Sequence, residues 1–265
     1  MMLYAPKEKN RFQKAAKIAR EEGLKSLFIK LFLYFIYAPI TYILTAISSI
    51  SIFFKPKRSF FFQGKKLSYF YHRYNTTWKN ERIVEVPIIM NYIKDFPNKR
   101  ILEIGAVLIH YYSIKWDILD KYERGPPIWD ILDKYWKGKE IINKDVVYFK
   151  PFNKYDLIIS ISTLEHVGFD EDIKDPTKII KAIKNLKENC LNLNGEGIIT
   201  MPIGYNLEMD RLLFTNKLEF DEKLFLKRIN KENKWEEIPE KEARNIKYNK
   251  PFNSANSIVI GIIKK

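Results

Sequence analysis

Arg100-Ile-Leu-Glu-Ile-Gly-Ala106 and Lys154-Tyr-Asp-Leu-Ile-Ile-Ser-Ile-Ser-Thr-Leu-Glu-His-Val167 decide how this chain is read. Each is a short apolar run that ends in small or polar residues. A strand covered on both faces needs a continuous apolar run, and its character changes where it delivers its C-terminal end to a ligand crevice. The first run carries the Glu103 carboxylate and Gly105 to its tip. The second ends in Ser160, Ser162, Thr163, Glu165 and His166.

The elements on either side follow from pattern and punctuation. Ile83, Val84, Val86, Ile89 and Tyr92 predict a helix before the first strand. Trp116–Asp120 predicts a second strand, Glu140–Ile142 a third and Asp156–Ile161 a fourth. Asp175-Pro176 then opens a helix carrying Ile179, Ile180, Ile183 and Leu186, because proline in the first helical turn forfeits only an N–H that has no partner there. Asn194-Gly195 predicts a turn into strand five, Gly197–Met201, and Leu224–Ile229 and Ser257–Ile262 predict the last two. Strands alternating with helices and closed by two terminal strands predict an α/β fold: a doubly wound, mostly parallel seven-stranded sheet.

In this order the motifs resemble the nucleotide-binding core of class I S-adenosylmethionine (SAM)-dependent methyltransferases, over roughly residues 70–265. The resemblance implies a Rossmann-like methyltransferase fold with SAM as cofactor. It implies that Glu103 and Gly105 form the turn beside the methionine moiety, and that Asp120 accepts the ribose hydroxyls. It further implies that Asp145 reads the adenine edge with Val146 packed on the ring, and that Ser160 and Ser162, at the end of strand four, bind the cofactor. The helix before strand one would cover the cofactor, with Trp78, Asn80, Glu81 and Arg82 available to face it or to serve as surface and packing residues. His166 is the candidate general base, since imidazole titrates near neutrality, and Glu165 would orient it or bind substrate. The alternative is a helix-starting glutamate and a packed histidine. Tyr111, Tyr112 and Tyr205 line an acceptor pocket or belong to the core.

The chain departs from the family pattern at one place. After Gly105, Val107 and Ile109 stand where the family carries further glycines. A β-branched residue is costly at positive φ, so the turn is expected to follow another path. Ser160-Ile-Ser-Thr163 also replaces the Asn/Asp-Pro-Pro-Tyr/Phe of nucleobase amino-methyltransferases and argues against that chemistry.

Trp116-Asp-Ile-Leu-Asp-Lys-Tyr122 recurs as Trp129-Asp-Ile-Leu-Asp-Lys-Tyr135, 13 residues later. Only one copy can be strand two. Asp120 lies 17 residues after Glu103, Glu123 lies 20 after and Asp133 lies 30 after. An acidic residue about 20 positions beyond the glycine turn suits ribose hydroxyls. Asp120 is therefore assigned, with Glu123 second and Asp133 as the swapped alternative.

Residues 1–66 form a basic arm with a linker, and residues 67–265 the methyltransferase-like domain. Leu31–Phe54 runs 24 residues without a charge, enough for a helix of about 36 Å. The arm carries 13 Lys and Arg against three Glu, so +10 of the chain's +14 lies there. Basic flanks and Tyr34, Tyr37 and Tyr42 suit an anionic membrane surface, through a single span or a helix that dips in near Pro39 and returns. A helical membrane arm with a cytoplasmic catalytic domain is expected. No nucleic-acid partner is expected, because the domain itself is close to neutral.

One cysteine excludes a disulfide framework, and three scattered histidines suggest no metal site. The function this predicts is a membrane-attached SAM-dependent methyltransferase acting on a small-molecule or lipid-linked acceptor: a lipid, a lipid-linked glycan or a polysaccharide precursor. The alternative is a catalytically inactive binding or scaffold protein of the same fold.

Overall fold

A computed structural model describes residues 58–123 and 141–265, together with Leu24. Arg58–Lys265 form one compact unit. The apolar segment 31–54 and the second repeat copy, 129–135, lie outside the described residues. Among the described residues no helix is long and apolar enough to cross a membrane.

Among the described residues, ten strands and four α-helices follow one another along the domain. A hairpin, β1 (Ser59–Phe62) and β2 (Lys65–Ser68), comes first. Next are α1 (Arg82–Lys94), β3 (Ile101–Ile104), β4 (Asp117–Leu119), β5 (Ile141–Ile142) and β6 (Tyr155–Ile161). The chain continues with α2 (Lys178–Asn185), β7 (Leu191–Pro202), α3 (Leu207–Phe214), β8 (Glu222–Arg228) and β9 (Trp235–Ile238). It ends with α4 (Glu240–Ala243) and β10 (Ser257–Lys264).

The main sheet has eight strands in the order β5-β4-β3-β6-β7-β10-β8-β9. β5 through β7 are parallel, and β10 runs antiparallel to both β7 and β8. This is the doubly wound sheet closed by antiparallel strands that the methyltransferase resemblance implies. The order reverses between β3 and β6, and an open sheet of this kind has its ligand crevice beyond the carboxyl ends of those two strands.

Three sequence expectations need correction. The sheet has eight strands rather than seven, because Trp235–Ile238 pairs with β8. Its sequence, Trp-Glu-Glu-Ile, is half charged and lacks a strand's apolar signature. Residues 59–68, read as part of a linker, form the β1–β2 hairpin. Phe60 and Phe62 of that hairpin are buried, and Phe60 stacks on Tyr69 with centroids 5.1 Å apart. Asn194-Gly195 does not precede strand five but interrupts it. β7 begins at Leu191, and its pairing with β6 slips between Leu191 and Glu196 around a bulge in which Asn194 has φ +63°. The terminal carbonyl of Lys265 accepts from Asn194 N at 2.7 Å, which satisfies the bulge.

The sheet is covered on both faces. Leu102, Ile104, Ile158, Ile199 and Met201 pack with Ile179 and Ile183 of α2 and Met209 and Leu212 of α3. Neighbours along the strands point the other way. There Thr200 of β7 reaches α1 through a 2.8 Å bond to Glu85. Helix α1 is buried almost all round, over Ile83–Val86, Ile88 and Ile89, as expected of a helix without a polar face. The β3–β4 connection holds only a single 3-10 turn, Leu108–His110, so this crossover lacks a covering α-helix.

Candidate functional site

The tips of β3 and β4 bring Glu103, Gly105 and Asp120 together. Glu103 is fully buried, and its Oε1 accepts from the backbone N–H groups of Val107 (2.9 Å) and Leu108 (2.7 Å). Its Oε2 accepts from Trp116 Nε1 at 3.0 Å. Burial pushes the carboxyl up to about 7 although these three donors favour the charged form. Gly105 has φ +85°, and a Cβ there would lie 2.2 Å from Thr163 Oγ1 at the tip of β6. Glycine is therefore required twice over, by backbone and by contact. Val107 takes φ −92°, ψ −50°, which a β-branched residue adopts freely. The turn thus avoids positive φ beyond Gly105 and folds its N–H groups back onto Glu103.

Asp120 follows β4, so the first repeat copy supplies this strand. Its Oδ1 accepts from the N–H groups of Tyr122 and Glu123, each at 2.8 Å, and its Oδ2 accepts from Ala106 N at 3.2 Å. The carboxylate ties the end of β4 to the Gly105 turn. Glu123 is held through its backbone by Asp120 and by Asn143, whose Nδ2 donates to the Glu123 carbonyl.

Asp145, just after β5, sits in a cluster with Lys121, Lys178 and Glu171. Its Oδ2 accepts from Lys121 Nζ (2.9 Å) and Lys178 Nζ (2.7 Å), and Lys178 also donates to Glu171 at 2.6 Å. Burial raises this carboxyl, but the two ammonium groups outweigh it and hold Asp145 below the usual carboxylate range. The cluster links the segments after β4, β5 and β6. Val146 turns into the core, where its carbonyl accepts from Asn185 Nδ2 at 2.8 Å. Ser160 is fully buried and its hydroxyl has no partner.

At the tips of β6 and β7 the chain assembles a second polar group. Ser162 has φ +37°, a strained conformation for a residue with a side chain. Its hydroxyl donates to Glu85 Oε1 at 2.7 Å. Glu85 also accepts from Thr200 and forms a close ion pair with Arg82. Glu81 lies 3.8 Å from the same guanidinium and accepts from Ala255 N at 3.1 Å. Burial lowers the Arg82 pKa, but Glu85 and Glu81 more than reverse that and keep it firmly cationic.

Glu165 and His166 lie in one 3-10 turn, Leu164–His166. Glu165 is 1% exposed, its Oε2 has no partner, and burial holds its pKa well above the carboxylate range. His166 Nε2 lies 3.6 Å from Glu165 Oε1, while Nδ1 makes a close contact with Asp170. Burial lowers the His166 pKa, and Asp170 only partly offsets this. Tyr205 donates to the same Asp170 oxygen at 2.9 Å and packs edge-on to His166 at 5.1 Å. Tyr248 packs edge-on to Tyr205 at 5.2 Å. Tyr111 is buried against Phe70 and His72, whereas Tyr112 is only half-buried.

Glu85, Asp170, Glu171, Lys178 and Tyr248 belong to these groups without having been singled out from sequence. Glu85 carried a usable signal. It is flanked by Ile83, Val84, Val86, Ile88 and Ile89, so a helix buried there had to bury the carboxylate and pair it. The others are polar residues in loops or, for Lys178, at the start of α2, and their sequence context is silent.

No protein-family model and no curated protein matches the sequence. Solved structures similar to this chain include the N-methyltransferase NodS from Bradyrhizobium japonicum in complex with S-adenosyl-L-homocysteine. It is 13% identical, with a TM-score of 0.43 over 67% of this chain and 84% of that one. A possible histamine N-methyltransferase from Thermotoga maritima is 16% identical, with a TM-score of 0.39 over 66% and 87%. A SAM-dependent methyltransferase from Archaeoglobus fulgidus is 17% identical, with a TM-score of 0.38 over 67% and 91%. Similarity at this level assigns no activity to the chain, and its fold rests on its own strand order.

Proposed function

We propose that the chain is a SAM-dependent methyltransferase attached to a membrane by residues 1–66, with a cytoplasmic catalytic domain and a membrane-associated acceptor. The observation that carries the reading is the Gly105 turn at the switch between β3 and β6, with the Asp120 carboxylate beside it. Three features fit a nucleoside cofactor. A glycine at φ +85° lets backbone approach a ligand closely. Asp120 spends three acceptor positions on backbone, and a carboxylate offers about four. The unpartnered Ser160 hydroxyl and Glu165 Oε2 leave polar atoms unspent at the tip of β6 and just beyond it.

Gly105 and Glu103 would shape the turn around the methionine end, Asp120 would take the ribose hydroxyls, and Asp145 the adenine edge. Bound SAM supplies a methyl group already activated on a sulfonium. The protein then has two tasks, to hold the acceptor in line and to take up its proton. His166, with a lowered pKa and Asp170 on its Nδ1, is kept neutral and basic at physiological pH. A second reading, a non-catalytic scaffold, is favoured by the way Glu103 and Asp120 absorb the N–H groups of Ala106, Val107 and Leu108.

Calorimetric titration of S-adenosylhomocysteine into the full chain separates the two. Saturable micromolar binding that Asp120→Ala abolishes and Asp133→Ala spares supports the transferase. No heat from folded protein supports the scaffold. Co-sedimentation of the full chain with anionic vesicles, lost when residues 1–57 are removed, tests the membrane arm.

A further inference from the structure

We propose that the cluster at the tips of β6 and β7 is a site for an organic ammonium group, with Glu165 as its counter-ion and the Tyr205 and Tyr248 rings as its walls. The inference deepens the methyltransferase reading and rests on it, since it makes the methyl acceptor an amine.

Glu81 and Glu85 pair with the guanidinium of Arg82, and Glu165 lies within its electrostatic reach. Arg82 is committed to Glu85 by a close pair and lies 3.8 Å from Glu81. Glu85 is satisfied by Arg82, Ser162 and Thr200. Glu81 has its backbone donor at Ala255. Glu165 is different: it is 1% exposed, and its Oε2 has no partner. A carboxylate left this way in a low-dielectric interior is costly unless a cation or a proton meets it. Among the described residues no second cation faces it. His166 Nε2 lies 3.6 Å from its other oxygen, Oε1, and Nδ1 turns to Asp170. Among the described residues the cluster therefore holds more carboxyl groups than cationic ones.

The walls suit the same guest. Tyr205 and Tyr248 stand edge to face at 5.2 Å and both lie within electrostatic reach of Glu165. Aromatic faces beside a buried carboxylate attract a substituted ammonium, which is both apolar and cationic. A hydroxyl acceptor would need a base but no counter-ion, and an anionic acceptor would be repelled. Without a guest, burial favours the protonated form of Glu165 and Glu81, whose pKa values it raises. To expose its lone pair the ammonium passes one proton from nitrogen to Glu165 Oε2. The carboxylate becomes a carboxylic acid, the amine becomes neutral, and no other bond changes.

The test titrates benzylamine, benzyl alcohol and benzoate into the full chain by calorimetry, with and without saturating S-adenosylhomocysteine. Benzylamine is expected to bind about tenfold more tightly than the alcohol, a difference of about 1.4 kcal/mol. Glu165→Gln, with an unchanged circular dichroism spectrum, is expected to bring the two together. Equal affinities, a preference for the alcohol or benzoate, or a preference that survives Glu165→Gln overturns the site. Should the variant not fold, choline against 3,3-dimethylbutan-1-ol on the wild-type chain decides in the same way, because the two share a shape and differ in charge. A persistent ammonium preference without S-adenosylhomocysteine binding removes the transferase and keeps the cation site. Binding of S-adenosylhomocysteine without that preference removes the cation site alone.

Discussion

Thr163 Oγ1 lies 2.2 Å from where a Cβ on Gly105 would stand, so the tips of β3 and β6 meet through a missing side chain. Gly105→Ala must both adopt φ +85° and displace the Thr163 hydroxyl. Together these cost about 2–5 kcal/mol. The expected outcome is a clear fall in melting temperature by calorimetry, with loss of S-adenosylhomocysteine binding in whatever protein remains folded. An unchanged melting temperature would mean that the turn relaxes around the methyl group.

Glu103 makes stability depend on pH. Its folded pKa, about 7, lies above its ordinary value of 4.5. Between these two values the folded protein holds a proton that the unfolded chain has released. Stability is then greatest below 4.5 and falls as pH rises to 7. Asp210, raised from 3.8 to about 7 by burial, contributes in the same direction. Glu103→Gln removes its own component. Relative to wild type it should gain about 3 kcal/mol between pH 4.5 and 7.5, by the linkage relation. Urea unfolding at both pH values reads the difference, and parallel curves for the two proteins would contradict it.

Arg82 is the cation on which Glu81 and Glu85 depend. Arg82→Met leaves buried carboxylates unpaired and should cost about 3–5 kcal/mol. The deficit should be larger at pH 8 than at pH 5, because the stranded groups can take up protons in acid. A deficit independent of pH would show that packing, not charge, is what Arg82 contributes.

Lys178 holds Asp145 and Glu171 together. The pKa of Asp145 lies below its ordinary value of 3.8, so this pairing stabilises the fold above that value and is lost as pH falls through the lowered one. Lys178→Met should cost about 1 kcal/mol near neutrality, a small figure because the cluster is partly open to solvent. The acid limb of the stability curve should flatten as well. An acid limb identical to wild type would place the stabilisation elsewhere.

How much of this was readable beforehand depends on where the driving force lies. β3, β6 and β10 are continuous apolar runs, and burial of such runs is a property of the residues themselves. β4 was legible from Trp116–Asp120 and the spacing from Glu103, and the same spacing set Asp120 ahead of Asp133. β9 was not legible, since Glu236 and Glu237 are exposed and the strand is held by others: Tyr69 accepts from Trp235 N at 2.8 Å, and β8 supplies its ladder. The hairpin β1–β2 was hidden in the same way, because Lys65, Lys66 and Gln63 look like a basic linker until Phe60 and Phe62 find a core. Val107 and Ile109 did mark a departure in the turn, but only its coordinates show that the N–H groups return to Glu103.

By itself the sequence determined the central strands, the parallel core, the antiparallel close and the carboxylates at the strand tips. Those follow from local apolar periodicity and from glycine's freedom at positive φ, which act over a few residues. Tertiary structure alone decided the group formed by Glu85, Ser162 and Thr200, whose members are 77 and 115 residues apart, and the isolation of Glu165 Oε2. The energy of a buried charge depends on which atoms surround it in space, and nothing in the order of residues along the chain records that.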